Sequence, residues 1–302
     1  MRYKIKKKII MPFVQFVLNI ILLGTALSSF AQSYLQQQNS HWLTSGEGIR
    51  FVNNLPQSVS SSWQGLSLSQ GCASISDEEG NLLFYSDGNV VWDKNNDVML
   101  NGWDINNNNN LAPNSFYIDP TFSISSYNFD GVVIMPLPGS SHKYLLFASP
   151  FLWTANGLGY MQVWTGQLFC TVIDMELNNG LGAVDSNHRG ELFAESMAGN
   201  LHAVVGNDCN YWLLGYSSTG SYRAYEVTEE GPNPTPVVST LSPPTSPNLS
   251  ELNLSPDRRK VAMAMGNEIQ VCDFDPATGI FSNDVLLGGQ ESRYVAFSPN
   301  SQ

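Results

Sequence analysis

Residues 72–100 read CASISDEEGNLLFYSDGNVVWDKNNDVML, with short apolar runs at 73–75, 82–85 and 90–92. Polar turns at 77–80 and 87–89 separate the runs, and each contains Asp and Gly. The two residues suit a tight turn for different reasons: Asp hydrogen-bonds its own backbone, and Gly takes positive φ without steric cost. Run, turn, run, turn, run is the pattern of an antiparallel meander, and helical periodicity is nearly absent after the first thirty-one residues. The unit recurs as VVIMPLPGSSHKYLLFAS at 132–149, with a turn at 138–141. It recurs again at 201–231, with turns at 207–210 and 218–221, and at 252–279 (LNLSPDRRKVAMAMGNEIQVCDFDPATG). A fifth copy opens at 294–302 (YVAFSPNSQ).

Pro256 and Pro299 are 43 residues apart, within the ~40–45 expected of a four-stranded propeller blade. Wider spacing between the earlier copies is taken up by polar stretches at 106–128 and 231–251, which read as inserted loops. The expected fold is therefore all-β, a propeller of four-stranded blades spanning residues 32–302. A two-sheet sandwich is the competing architecture, but repetition at blade length favours radial stacking. Residues 41–54 (HWLTSGEGIRFVNN) are expected to supply a strand that helps close the ring. Ser298-Pro299-Asn300 stands where Ser255-Pro256-Asp257 stands in the preceding copy, so the domain is expected to be incomplete at its C-terminus.

Residues 1–31 look like a signal peptide. A basic start (Arg2, Lys4, Lys6, Lys7, Lys8) precedes an apolar run, and Ser29-Phe30-Ala31 supplies small residues at a cleavage site before Gln32. The apolar run also suits an uncleaved anchor, but Pro12, Gln15 and Asn19 interrupt it. Removing the leader leaves 9 basic residues against 26 acidic ones. So acidic a chain repels phosphate backbones and anionic lipid, which excludes nucleic acid as an expected partner.

The chemistry-bearing residues are few. Cys72 and Cys209 border turns and are the candidate disulfide, while Cys170 and Cys272 lie in strand-like runs and read as small buried hydrophobes. His41, His142, His188 and His202 share no metal-ligand spacing, and His142 reads as a solvated turn residue. Asp93-Lys94-Asn95-Asn96-Asp97 places oxygens at alternate positions as a calcium loop does, but lacks its glycine and glutamate, so a hairpin turn explains it. No catalytic residue, cofactor or metal is expected from these patterns. Loop aromatics remain: Trp103 and Trp153 are candidates to stack on a sugar or on a partner's side chain, against the alternative that such rings cap blade edges. Trp42, Trp92, Trp164 and Trp212 fall within strand runs and read as packing.

The stretches EGIRF (47–51), 71–102, VIDMELNNGLGAV (172–184) and LSPDRRKVAMA (254–264) give the chain a family resemblance. It resembles the N-terminal propeller-like, WD40-like regions of large secreted Bacteroidota proteins of the gliding-motility-associated or type IX secretion cargo type. Cysteines at positions 72 and 209 are similar to the family pattern. The resemblance implies about six to seven blades in the full protein, downstream modules in the same chain, and a secreted or outer-membrane-surface location. The expected function is a binding or display module for protein or carbohydrate at the cell surface, with no membrane span after leader removal. The alternative is a periplasmic or extracellular hydrolase or lyase using the propeller funnel; the sequence favours binding over catalysis.

Overall fold

The computed structural model describes residues 41–43, 47–52, 55–60, 72–103, 105, 131–149, 151–155, 160–164, 166–243, 249–292 and 295–300. Residues 1–31, where a leader is expected, lie outside them. The described chain is all-β, built from antiparallel sheets, with one 3-10 turn at Asn178–Gly180. No helix among the described residues is long and apolar enough to cross a membrane.

The described residues form six sheets. The first holds β1 (His41–Leu43), β2 (Glu47–Val52) and β3 (Leu55–Ser60) in that order. The second holds β4 (Ala73–Ser76), β5 (Leu82–Ser86) and β6 (Val91–Asp93), with Val98 bridging to Trp92 as a further rung. The third runs from β7 (Val132–Pro136) through β8 (Lys143–Ala148) to β11 (Leu168–Asp174), whose outer edge carries β12 (Ala183–Val184) and β13 (Glu191–Ala194). Between β8 and β11 the chain makes a separate hairpin, β9 (Phe151–Ala155) and β10 (Tyr160–Trp164). The next sheet orders β14 (Met197–Val205), β15 (Tyr211–Ser217) and β16 (Tyr222–Thr228), edged by β17 (Gly231–Pro232) and β18 (Val237–Ser239). The last contains β19 (Leu249–Leu254), β20 (Lys260–Asp275) and β21 (Ile280–Ser292).

β20 is not straight. Phe274 N–H donates to Arg259 O at 2.8 Å, and Lys260 Nζ meets Asp273 Oδ1 at 2.7 Å. An extended strand rising ~3.3 Å per residue would hold positions 259 and 274 roughly 50 Å apart. The strand therefore doubles back, and Gly266, at φ +70°, sits where it turns. The last sheet thus contains four strand runs.

The turns form for the reasons their residues suggest. Asp77 Oδ1 accepts from Asn81 N–H at 2.7 Å. Asp87 Oδ1 accepts from Asn89 and Val90 N–H, each at 2.8 Å. Asp93 Oδ1 accepts from Asn95 N–H at 2.8 Å and Asp97 N–H at 3.2 Å, so this carboxylate is occupied in holding a hairpin turn. One expectation is corrected: residues 231–251 are not simply a loop, because β17, β18 and the start of β19 lie within them. The stretch expected to supply a strand near the N-terminus holds β1 and β2, which pair with β3.

Two features fix how the sheets meet. First, the leading strand of each principal sheet neighbours the leading strand of the next: β1 packs beside β4, β4 beside β7, β7 beside β14 and β14 beside β19. Second, the three larger apolar cores are each shared between consecutive sheets, while a fourth, around Tyr85, Val90 and Trp92, lies within the second. Phe84, Tyr144, Leu146 and Ile173 join the second and third, while Phe147, Leu213 and Tyr225 join the third to the β14–β18 sheet. Trp212, Tyr222, Met263, Phe274 and Phe281 join that sheet to the last. The rings meet at 5.5 Å (Phe84 and Tyr144), 5.0 Å (Phe193 and Tyr225) and 4.7 Å (Tyr222 and Phe281). Burial of such side chains is the principal stabilising term, about 1.5–3 kcal/mol for each large apolar group.

Candidate functional site

The sequence-predicted residues are not gathered in one place. Cys72 precedes β4 and packs against Tyr85, Val90 and Trp92. Cys209 is exposed in the β14–β15 turn. The four cysteines are unbridged in the structure. The two candidate positions belong to different sheets, Cys72 in a packed cluster and Cys209 at an exposed turn. Cys170 and Cys272 are buried, as small hydrophobes are expected to be. Trp103 is half-buried against the Tyr85–Trp92 cluster, and its carbonyl accepts from Arg189 Nη2. Trp153 belongs to β9, opposite Gln162 of β10, and its side chain lies outside the described residues, as do those of Trp42 and Trp164. Trp92 and Trp212 are buried packing residues.

The cluster that sequence reading missed is His142, Asp174 and Glu176. His142 ends the β7–β8 turn, and Asp174 and Glu176 stand at the end of β11, brought alongside by the β8–β11 register in which Lys143 opposes Asp174. His142 is not simply solvated: Nδ1 lies 2.8 Å from Asp174 Oδ1, and Nε2 lies 3.9 Å from Glu176 Oε2. The backbone locks this arrangement. Met175 N–H donates to His142 O at 2.9 Å, and Glu176 N–H donates to Asp174 Oδ1 at 3.0 Å. Burial raises the Asp174 pKa, but the hydrogen bonds from His142 and Glu176 and the charges of His142 and Lys143 outweigh it and hold the group below its ordinary value. No spacing rule could find this trio, since 32 positions separate His142 from Asp174. The signal is a strand register.

Other titratable groups are occupied or muted. His41 Nδ1 meets Ser76 Oγ at 2.9 Å, and burial followed by the Arg50 charge lowers its pKa against the opposing pull of Asp77. His202, on β14, is pushed down to about 4 by loss of hydration. Burial pushes the Cys72 thiol up to about 11 and the Cys170 and Cys272 thiols up to about 12, so none is an activated nucleophile. His188 and Glu191 form an exposed pair at 3.2 Å.

No protein-family model matches this chain, and no curated protein does. Among solved structures it is similar to a luciferin-regenerating enzyme at 12% identity, covering 52% of this chain and 46% of that one, with a TM-score of 0.28. It is also similar to a functionally unknown protein from Desulfotomaculum acetoxidans at 13% identity, covering 55% and 57%, again with a TM-score of 0.28. The chain spans about half the length of both. Likeness at this level carries no functional argument.

Proposed function

We propose that the sheets are blades of a β-propeller and that the chain is an exported binding or display module at a cell surface, recognising protein or carbohydrate. The observation that carries the proposal is the row of leading strands, β1 beside β4, then β7, β14 and β19, with the three larger cores each shared between two consecutive sheets. A row of first strands is what blades packed about a common axis require, whereas two layers face to face would share one core. The export proposal rests on the basic, apolar, small-residue order of positions 1–31. The resemblance to gliding-associated and type IX secretion cargo supports the surface location.

The long connections suit this role. The β9–β10 excursion and the segments leading into β7 and β19 each leave a sheet at the end away from its first hairpin turn. Radial stacking would gather them on one face, where loops vary without disturbing the blades. Binding is favoured over the hydrolase or lyase alternative because the described buried thiols are held protonated and His41, on a leading strand, is engaged by Ser76.

Trp153 is the aromatic to test, since Trp103 is half-buried against the Tyr85–Trp92 cluster. The experiment is a glycan array probed with the chain lacking its leader and with its Trp153→Ala variant, both checked for fold by circular dichroism. Glycan binding that the variant loses supports carbohydrate recognition through the β9–β10 hairpin. Equal binding by both proteins discards Trp153, and no glycan binding by the parent discards the carbohydrate arm.

A further inference from the structure

We propose that His142 Nε2 and the Glu176 carboxylate form a surface site for a divalent transition cation of the Zn²⁺ class, with Asp174 holding the imidazole from behind.

The geometry assigns the roles. Asp174 Oδ1 sits 2.8 Å from His142 Nδ1, and an ionised carboxylate only accepts, so Nδ1 carries the proton. The ring's other nitrogen, Nε2, faces Glu176 Oε2 across 3.9 Å, a span too long for a hydrogen bond. A cation between them would take the Nε2 lone pair and a carboxylate oxygen, releasing the Nε2 proton where the ring carries one. Two ligands at ~2.0–2.2 Å from one ion stand roughly 3.0–3.5 Å apart, so closure needs a shift of about half an ångström. The Glu176 side chain is 72% exposed and has the freedom to make it. One ligand atom from each of the three residues lies within 4.8 Å of the other two.

An imidazole backed by a carboxylate is the usual support for a metal-binding histidine, because it fixes both tautomer and ring plane. Here the carboxylate is itself fixed, since Asp174 Oδ1 also accepts from Glu176 N–H at 3.0 Å. The nitrogen ligand selects zinc, nickel or copper over calcium and magnesium, which prefer all-oxygen shells. Lys143, opposite Asp174 in the register, opposes a cation, but the two carboxylates outnumber it. Water completes the coordination.

The test is Zn²⁺ titration of the whole chain lacking its leader, read by isothermal calorimetry and by the ring-nitrogen NMR shifts of His142. Expected are saturable binding below millimolar Zn²⁺, a shift confined to Nε2 of His142, and loss of the site in both His142→Ala and Glu176→Ala. Asp174→Asn keeps both ligands and weakens affinity roughly 10- to 100-fold. His188→Ala, which removes the other histidine–carboxylate pair, leaves the titration unchanged. Absence of binding at millimolar Zn²⁺, binding that survives His142→Ala or Glu176→Ala, full affinity in Asp174→Asn, or Ca²⁺ held as tightly as Zn²⁺ would each overturn the proposal.

Discussion

Asn253 Nδ2, on β19, donates to Val295 O at 3.0 Å, joining residues 42 positions apart. The turns that follow them match: Ser255 Oγ bonds Asp257 Oδ1 at 2.6 Å, and Ser298 Oγ bonds Asn300 Oδ1 at 2.5 Å. Residues 295–300 are thereby tied to β19. Asn253→Ala removes this bond and the one its Oδ1 accepts from Leu254 N–H at 2.8 Å, and is expected to cost about 1–3 kcal/mol. Urea unfolding measures the cost, and hydrogen exchange should localise the loosening to 295–300; an unchanged exchange pattern there would refute the coupling.

A buried polar chain ties the last two sheets together. Tyr222 O–H donates to Gln270 Oε1 at 3.1 Å, and Gln270 Nε2 donates to Ser242 O at 3.0 Å and to Asp284 Oδ2 at 2.7 Å. Burial holds the Tyr222 hydroxyl protonated. Tyr222→Phe keeps the stack on Phe281 and deprives Gln270 of its donor, at an expected cost of about 1–3 kcal/mol. Gln270→Ala should cost at least as much, because it removes all three of these hydrogen bonds rather than one. A shift of the denaturation midpoint in Gln270→Ala smaller than in Tyr222→Phe would contradict this chain.

Much of the fold was legible because its turns are local. Asp77, Asp87 and Asp93 each bond backbone within four positions, so the residue types alone located the hairpins. The burial of Trp92, Trp212, Cys170 and Cys272 followed from their place in apolar runs. What sequence could not show depends on register. Nothing in the spacing of His142 and Asp174 reveals that β8 and β11 bring them to 2.8 Å. Short outer strands such as Gly231–Pro232 and Val237–Ser239 hide in Pro-rich sequence, because edge positions tolerate proline that an inner strand would reject. The turn at Gly266 was hidden for the opposite reason: apolar residues continue on both sides of it.

His202 makes stability depend on pH. Its native pKa of about 4 lies below the ordinary 6.5, so the unfolded chain binds this proton first as pH falls. Stability from the neutral ring is therefore whole above about pH 6.5 and lost as pH falls to about 4, with a ceiling near 3 kcal/mol. His202→Gln should flatten the difference in urea midpoint between about pH 7 and pH 4.5 relative to the parent. If parent and variant lose stability in parallel over that range, the ring is not the sensor.

The thiols should separate by accessibility. Cys209 is exposed at a turn, at φ +56°, whereas Cys170 and Cys272 are buried and their thiols pushed up to about 12. Cys72 is half-buried with its thiol pushed up to about 11, first by burial and then by the Asp87 charge. Since the thiolate is the reacting form, a disulfide reagent at mildly alkaline pH should titrate Cys209 quickly and the other three only as the chain unfolds. Cys209→Ser should abolish the fast phase, and denaturant should expose all four thiols in the parent. A denatured count two short of that would mean a bridge forms, and because Cys170 and Cys272 sit inside packed strands, peptide mapping should then find it between Cys72 and Cys209, with the β4 and β14–β15 turn regions moved together to make it.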